Sequence, residues 1–238
     1  MRWVALGLSD CATSRLTGIP RGTIRDWRAG KGRAGHERSD CPRCHEAFLP
    51  SVPYAQLLGL YLGDGCISRA PRDVYKLRIS LDQKYPGIIT ECKSAMAGVR
   101  TVGLMRVGDV QREGCVEVYA YWKHWPCLFP QHGPGVKHRR DIRLEPWQER
   151  ILEKHPDRLL RGLIHSDGYR GDNKVKVKDK TYVYPRYQFS NVSSQIRDIF
   201  CRACDRHGVR WRQMNQTNIA VSRREDVAKL DEIIGPKY

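Results

Sequence analysis

The sequence predicts an α+β protein of two tandem halves, each ordered helix, two strands, helix, two strands, helix, behind a small helical arm. Three observations predict it. An apolar segment ending in Asp-Gly occurs twice, as LLGLYLGDG at 57–65 and as LRGLIHSDG at 160–168. The same succession of alternating and helical patterns follows each copy, which chance rarely supplies twice in order. Of the 238 residues 40% are apolar, enough to bury a core, and the formal net charge is +16, which points to a polyanionic partner, nucleic acid first of all. Residues 1–50 hold nine basic and five acidic side chains, so +12 of the excess lies beyond them and is no mere basic tail.

Composition divides the chain into an arm (1–30), a Gly- and charge-rich linker (31–50), a first half (51–150) and a second half (151–238). No run of 18 apolar residues occurs, so no membrane span is expected. The start, MRWVALGLSDC, lacks the length of a signal peptide. The nine cysteines are odd in number. In the reducing cytoplasm expected for the protein they are not read as a disulfide framework.

In the arm, SDCATSRLTGIPRGTIRDWRAG (9–30) has helix-turn-helix character. Ser9 or Asp10 caps a helix running to about Leu16, Gly18 makes the turn, and Pro20 opens the next helix. Ile24 and Trp27 give that second helix an apolar face, leaving Arg21, Thr23 and Arg25 outward for DNA. In the linker, CPRCH offers Cys41, Cys44 and His45, with His36 upstream; Cys-x-x-Cys is zinc-ligand spacing, and four ligands complete a structural Zn²⁺ site. Cys201 and Cys204 have the same spacing inside an amphipathic helical pattern and read as core.

Within each half the Asp-Gly segment is a helix end. Gly59 and Gly63 lie on one face, as do Gly162 and Ser166; small residues at that spacing let two helix backbones approach. Leu58, Leu60 and Leu62, or Leu163 and Ile164, supply the core. Gly65 and Gly168 suit a left-handed helix stop. If the small faces pack together, Asp64 and Asp167 stand side by side at helix ends that are already partly negative. Like charges there repel unless a cation lies between them. Hard oxygen ligands favour Mg²⁺, and a metal so placed suits phosphodiester cleavage.

The patterned strands follow at 74–83 and 184–191, helices at 86–98 and 193–208, and further strands at 104–107, 116–121, 209–214 and 218–222. Lys76, Arg78 and Ser80 share one strand face, with Leu77, Ile79 and Leu81 on the other; Arg186, Gln188 and Ser190 match them in the second half. Lys174, Lys176 and Lys178 share a face of KVKVK, and Arg210 and Arg212 repeat the theme. Such faces form a ribbon able to enter the major groove of double-stranded DNA. Each half then offers a short helix and a Gly-Pro segment ending in a lysine, Lys137 or Lys237, 73 and 70 residues after its Asp.

The two Asp-Gly segments resemble the signature helices of the LAGLIDADG homing endonucleases, in the single-chain form whose halves make a pseudo-twofold saddle. The first copy keeps Leu57, Gly59, Leu60, Asp64 and Gly65; the second keeps Leu160, Gly162, Leu163, Ile164, Asp167 and Gly168. Leu62 and His165 replace the motif's first Asp, which is not the metal ligand. The resemblance implies that Asp64 and Asp167, helped by the backbone carbonyls of Gly63 and Ser166, hold the divalent metal, Mg²⁺ or Mn²⁺. It places Gln83 and Asn191, at the ends of the second strands, where an amide can hold an attacking water. It sets Lys137 and Lys237 near the metals, where an ammonium stabilises phosphorane charge. The implied activity is that of a monomeric, site-specific double-strand DNA endonuclease with no protein partner. A regulator that binds DNA on this fold without cutting is the alternative, and an RNA-binding splicing factor stays open.

Overall fold

A computed structural model describes residues 8–29, 41–101, 103, 105–235 and 237. The chain divides into two units, Met1–Asp40 and Cys41–Tyr238.

The first unit contains α1 (Asp10–Thr17) and α2 (Arg21–Arg28). The Ser9 hydroxyl accepts a hydrogen bond from the Ala12 amide at 3.2 Å, and Gly18 closes α1 at φ 69°, the left-handed conformation that glycine adopts without penalty. Pro20 stands directly before α2. Ile24 and Thr13 are buried, but Trp27 is 38% exposed, so the apolar face expected of α2 is narrower than its sequence suggests. Arg21, Thr23 and Arg25 are exposed.

The second unit repeats one order of elements. The first half runs α3 (Ser51–Asp64), β1 (Gly65–Ala70), β2 (Val74–Asp82), α4 (Pro86–Gly98), β3 (Val107–Arg112), β4 (Cys115–Trp122) and α5 (Trp125–Leu128). After α6 (Pro146–Lys154), the second half runs α7 (Pro156–Asp167), β5 (Gly168–Val177), β6 (Lys180–Ser190), α8 (Ser194–Arg206), β7 (Arg212–Gln213), β8 (Asn218–Val221) and α9 (Arg224–Ile234). The sheets are antiparallel with matching orders, β1-β2-β4-β3 and β5-β6-β8-β7. Opposite Gly65 stands Ile79, and opposite Gly168 stands Phe189, so these registers superimpose the halves residue by residue. β3 starts at Val107 and not at Leu104. β1, the first strand of the expected pair, leaves the first helix directly.

Alternation sets the core. Leu77, Ile79 and Leu81 are buried with Val116, Val118 and Ala120 of the neighbouring strand. In the second half Phe189 stacks on Phe200 at 4.4 Å, beside the buried thiols of Cys201 and Cys204.

At the centre α3 packs on α7. A Cβ on Gly59 would lie 2.6 Å from the Leu159 carbonyl oxygen, and one on Gly162 would lie 2.3 Å from that of Gln56. The helices therefore touch backbone to backbone, as the small-residue spacing predicts. All residues from Tyr54 to Leu62 are buried, because this helix meets α7 on one side and its own sheet and α4 on others. Across the interface Arg161 of α7 donates to both carboxylate oxygens of Glu91 on α4 and to the Ile233 carbonyl at 3.1 Å.

Gly65 and Gly168 are not left-handed: their φ,ψ are −85°,148° and −100°,158°, extended values that open the next strand. Glycine is needed there for space. A Cβ would fall 2.5 Å from the Cα of Tyr61 or of Ile164, one turn back.

Candidate active site and nucleic-acid face

The ends of α3 and α7 bring Asp64 and Asp167 to one place. Beside Gly63 lies Ser166, and a Cβ on Gly63 would stand 3.2 Å from a carboxylate oxygen of Asp167. Two cavities flank the helix ends. One, of about 370 Å³, is lined by Asp167, Asn191, Gly63 and Lys137. The other, of about 250 Å³, is lined by Asp64, Asp82, Ser166 and Lys237. Each cavity thus takes its signature Asp from one half and its lysine from the other.

The lysines cap the helices. Lys137 donates to the carbonyls of Tyr61, Leu62 and Gly63 at 2.5, 3.0 and 2.8 Å, at the negative end of α3, where the Tyr61 carbonyl also accepts from the Gly65 amide. Lys237 stands at the end of α7, donating to the His165 carbonyl at 3.5 Å and to that of Gly168, the first residue of β5, at 2.6 Å. The Gly63 carbonyl, expected as a metal ligand, therefore already accepts from an ammonium, with one lone pair left.

The charges oppose one another. Crowding by protein, and next the Asp167 charge, push Asp64 up to about 6 against the pull of both lysines, although the side chain keeps a solvent-exposed edge. Asp167 is also raised by burial, opposed first by the Asn191 amide. Burial pushes Lys137 down to about 8. Two carboxylates that resist joint ionisation are a donor set that a divalent cation relieves; the residues fit such an ion.

The halves differ in support. Asn191 donates to an Asp167 carboxylate oxygen at 2.6 Å. Gln83 stands in the exposed turn after β2 and does not line the Asp64 cavity. Strand ends suggest Gln83 as the mate of Asn191, but the sheet registers make that mate Leu81, a buried apolar residue. Asp82, missed in the sequence, lines the cavity instead.

The ladders place Lys76, Arg78 and Ser80 on one sheet face, with Arg186, Gln188 and Ser190 at the matching positions. Arg212 stands opposite Ala220, which stands opposite Gln188, so it joins that face. The first face is partly neutralised by Glu117, which lies 2.6 Å from Lys76 and 3.9 Å from Arg78. Three expectations need correction. Lys174 and Lys176 lie on the opposite face, because β5 pairs Gly171 with Arg186 and alternation then gives Arg186's side to Asn173 and Val175. Lys178 is in the hairpin turn at φ 52°. Arg210 precedes β7 and is held by Asp226 at 2.8 Å and by Glu225. In place of the lysines, Tyr182 and Tyr184 occupy the Arg186 side of the hairpin, stacked at 6.3 Å.

Among the linker residues, Cys41 and Cys44 meet His124 and Cys127, not His45. The four ligand atoms all lie within 4.8 Å of one another. The exposed His45 ring stands edge-on to His124, centroids 6.4 Å apart, and His36 lies outside the described residues. The signal for the other two ligands was a His-x-x-Cys spacing just after β4.

No family model matches the sequence, and no curated protein matches it either. Solved structures do. A variant of the homing endonuclease I-DmoI, in complex with its target DNA and in the presence of 2 mM Mn, is 16% identical, with a TM-score of 0.50 over 77% of this chain and 93% of that one. The LAGLIDADG meganuclease I-AabMI, bound to uncleaved DNA, is 13% identical, with a TM-score of 0.48 over 76% of this chain and 82% of that one. The LAGLIDADG homing endonuclease I-SmaMI, bound to cleaved DNA, is 10% identical, with a TM-score of 0.47 over 77% and 83%. The second unit has the LAGLIDADG homing-endonuclease fold. No helix among the described residues is long and apolar enough to cross a membrane.

Proposed function

We propose that the protein is a site-specific, divalent-metal-dependent double-strand DNA endonuclease. The observation that carries this reading is the meeting of Asp64 and Asp167 at the ends of two glycine-packed helices, with a lysine-bearing cavity on each side. Asp64 and Asp167 would hold Mg²⁺ or Mn²⁺, which supplies water activation and stabilisation of the leaving oxygen. Asn191 fixes the Asp167 carboxylate by its hydrogen bond. Lys137 and Lys237 bring positive charge to both cavities, where a phosphate would otherwise meet only carboxylates. Arg78, Arg186, Gln188 and Arg212 provide donors for phosphates and base edges. The test is cleavage of a randomised plasmid library with Mg²⁺. Recurrent double-strand cuts at one sequence are expected. Tight binding of a defined site with no metal-dependent cutting gives the regulator instead.

Because Asn191 has only Leu81 as its counterpart, the two strands should be cut at different rates. Nicked plasmid should accumulate before linear product, and Asn191→Leu should slow the faster nick by roughly 10-fold or more, the size of one hydrogen-bond contribution. Equal strand rates in the unaltered protein would show that this amide does not matter.

Asp64 also predicts a pH effect on metal-free stability. A carboxyl raised in the fold contributes stability that is full below its ordinary value of 3.8 and is lost as pH rises through about 6. Lys137, lowered in the fold, contributes fully above 10.5 and loses that as pH falls through about 8. Between 6 and 8 both contributions are weakest. Mg²⁺ should therefore raise the melting temperature more at pH 7 than at pH 5. An equal rise at both would mean that it binds elsewhere.

A further inference from the structure

Outside the helix-end site, the described residues bring three thiols and one imidazole together from two distant stretches of chain. Cys41 and Cys44 lie in the turn that leads towards α3; His124 follows β4, and Cys127 is in α5. Cys44 and Cys127 sulfurs are 3.5 Å apart, and the His124 Nδ1 lies 3.8 Å from the first and 3.7 Å from the second. A disulfide would need about 2.05 Å, and all of these cysteines are free. With bonds of about 2.3 Å to sulfur and about 2.0 Å to nitrogen, the edges of a zinc tetrahedron are about 3.5–3.8 Å. The three separations among Cys44, Cys127 and His124 fall in that range, and the Cys41 sulfur lies within 4.8 Å of each of them. The Cys44 amide also donates to the Cys41 sulfur at 3.3 Å, a bond that steadies a thiolate.

We propose that Cys41, Cys44, His124 and Cys127 bind one structural Zn²⁺. Soft thiolates with imidazole, four in number, select Zn²⁺ over the hard cation of the helix-end site and leave no coordination position for a substrate. The ion would cross-link residues some 80 positions apart, pinning the chain before α3 to the β4–α5 corner. The site is not part of the repeat: the ladder registers put Glu225 and Ala228 where the first half has His124 and Cys127.

The test is elemental analysis of the full chain purified without chelator, with cobalt replacement as a second readout. One zinc per chain is expected, and Co²⁺ should give the intense visible bands of a tetrahedral thiolate site. Cys44→Ser, Cys127→Ser and His124→Ala should each lose the zinc, while His45→Ala and Cys11→Ser retain it. A native chain without zinc whose Co²⁺ spectrum stays pale and octahedral overturns the proposal. So does zinc that survives His124→Ala but is lost in His45→Ala. The cobalt spectrum is read on the native chain, so a variant that fails to fold does not decide the matter.

Discussion

Asp64→Asn and Asp167→Asn each collapse metal-dependent cleavage while DNA affinity is unchanged or rises. Asparagine keeps the size of the side chain and removes one charge from a pair that already resists joint ionisation. A bound metal contributes several kcal/mol to the transition state, so the loss should be about a thousandfold or more. The sheet faces that carry Arg78 and Arg186 are separate from the helix ends, and removing a carboxylate near phosphate lowers repulsion. Strand-resolved single-turnover rates and a binding titration on the same variants separate the two effects. Full-rate cutting of both strands by Asp64→Asn would remove this carboxylate from the mechanism.

Gly162→Ala is the second large effect, and it acts on folding. The added methyl would lie 2.3 Å from the Gln56 carbonyl oxygen and 2.9 Å from the Leu60 nitrogen. Both are backbone atoms of a buried helix, so relief requires the helices to part. Overpacking usually costs about 1–3 kcal/mol; with no flexible side chain to yield, this substitution should reach about 3 kcal/mol or more, a large share of ordinary domain stability. Gly22→Ala is the control, since its methyl meets nothing within 4 Å and alanine favours the helix. Denaturant melts of both variants settle the comparison. A Gly162→Ala protein as stable as its parent would mean that the helices do not touch at this point.

The repeat, the order of elements and the glycine contact were legible in the sequence because each rests on local spacing that occurs twice. What depends on strand pairing was not. KVKVK shows alternation, but only the pairing of Gly171 with Arg186 tells which side the lysines take. Gln83 and Asn191 both follow strands, and a two-residue difference in register separates them. Arg210 reads as a basic strand residue until α9 brings Asp226 beneath it. The partners of Cys41 and Cys44 lie some 80 residues away, beyond any spacing rule applied to the linker alone.

Where the two central helices end, the fit is keyed. Ser166 stands at the position where the other helix has Gly63, and a Cβ there would meet the Ser166 hydroxyl at 2.1 Å. The serine is a peg, turned back onto the Gly162 and Leu163 carbonyls, and the glycine is its socket. Two copies of the second helix would set peg against peg, whereas first and second interlock. The seam therefore favours the unlike pair: at this point a second half fits a first half, and another second half would clash with it.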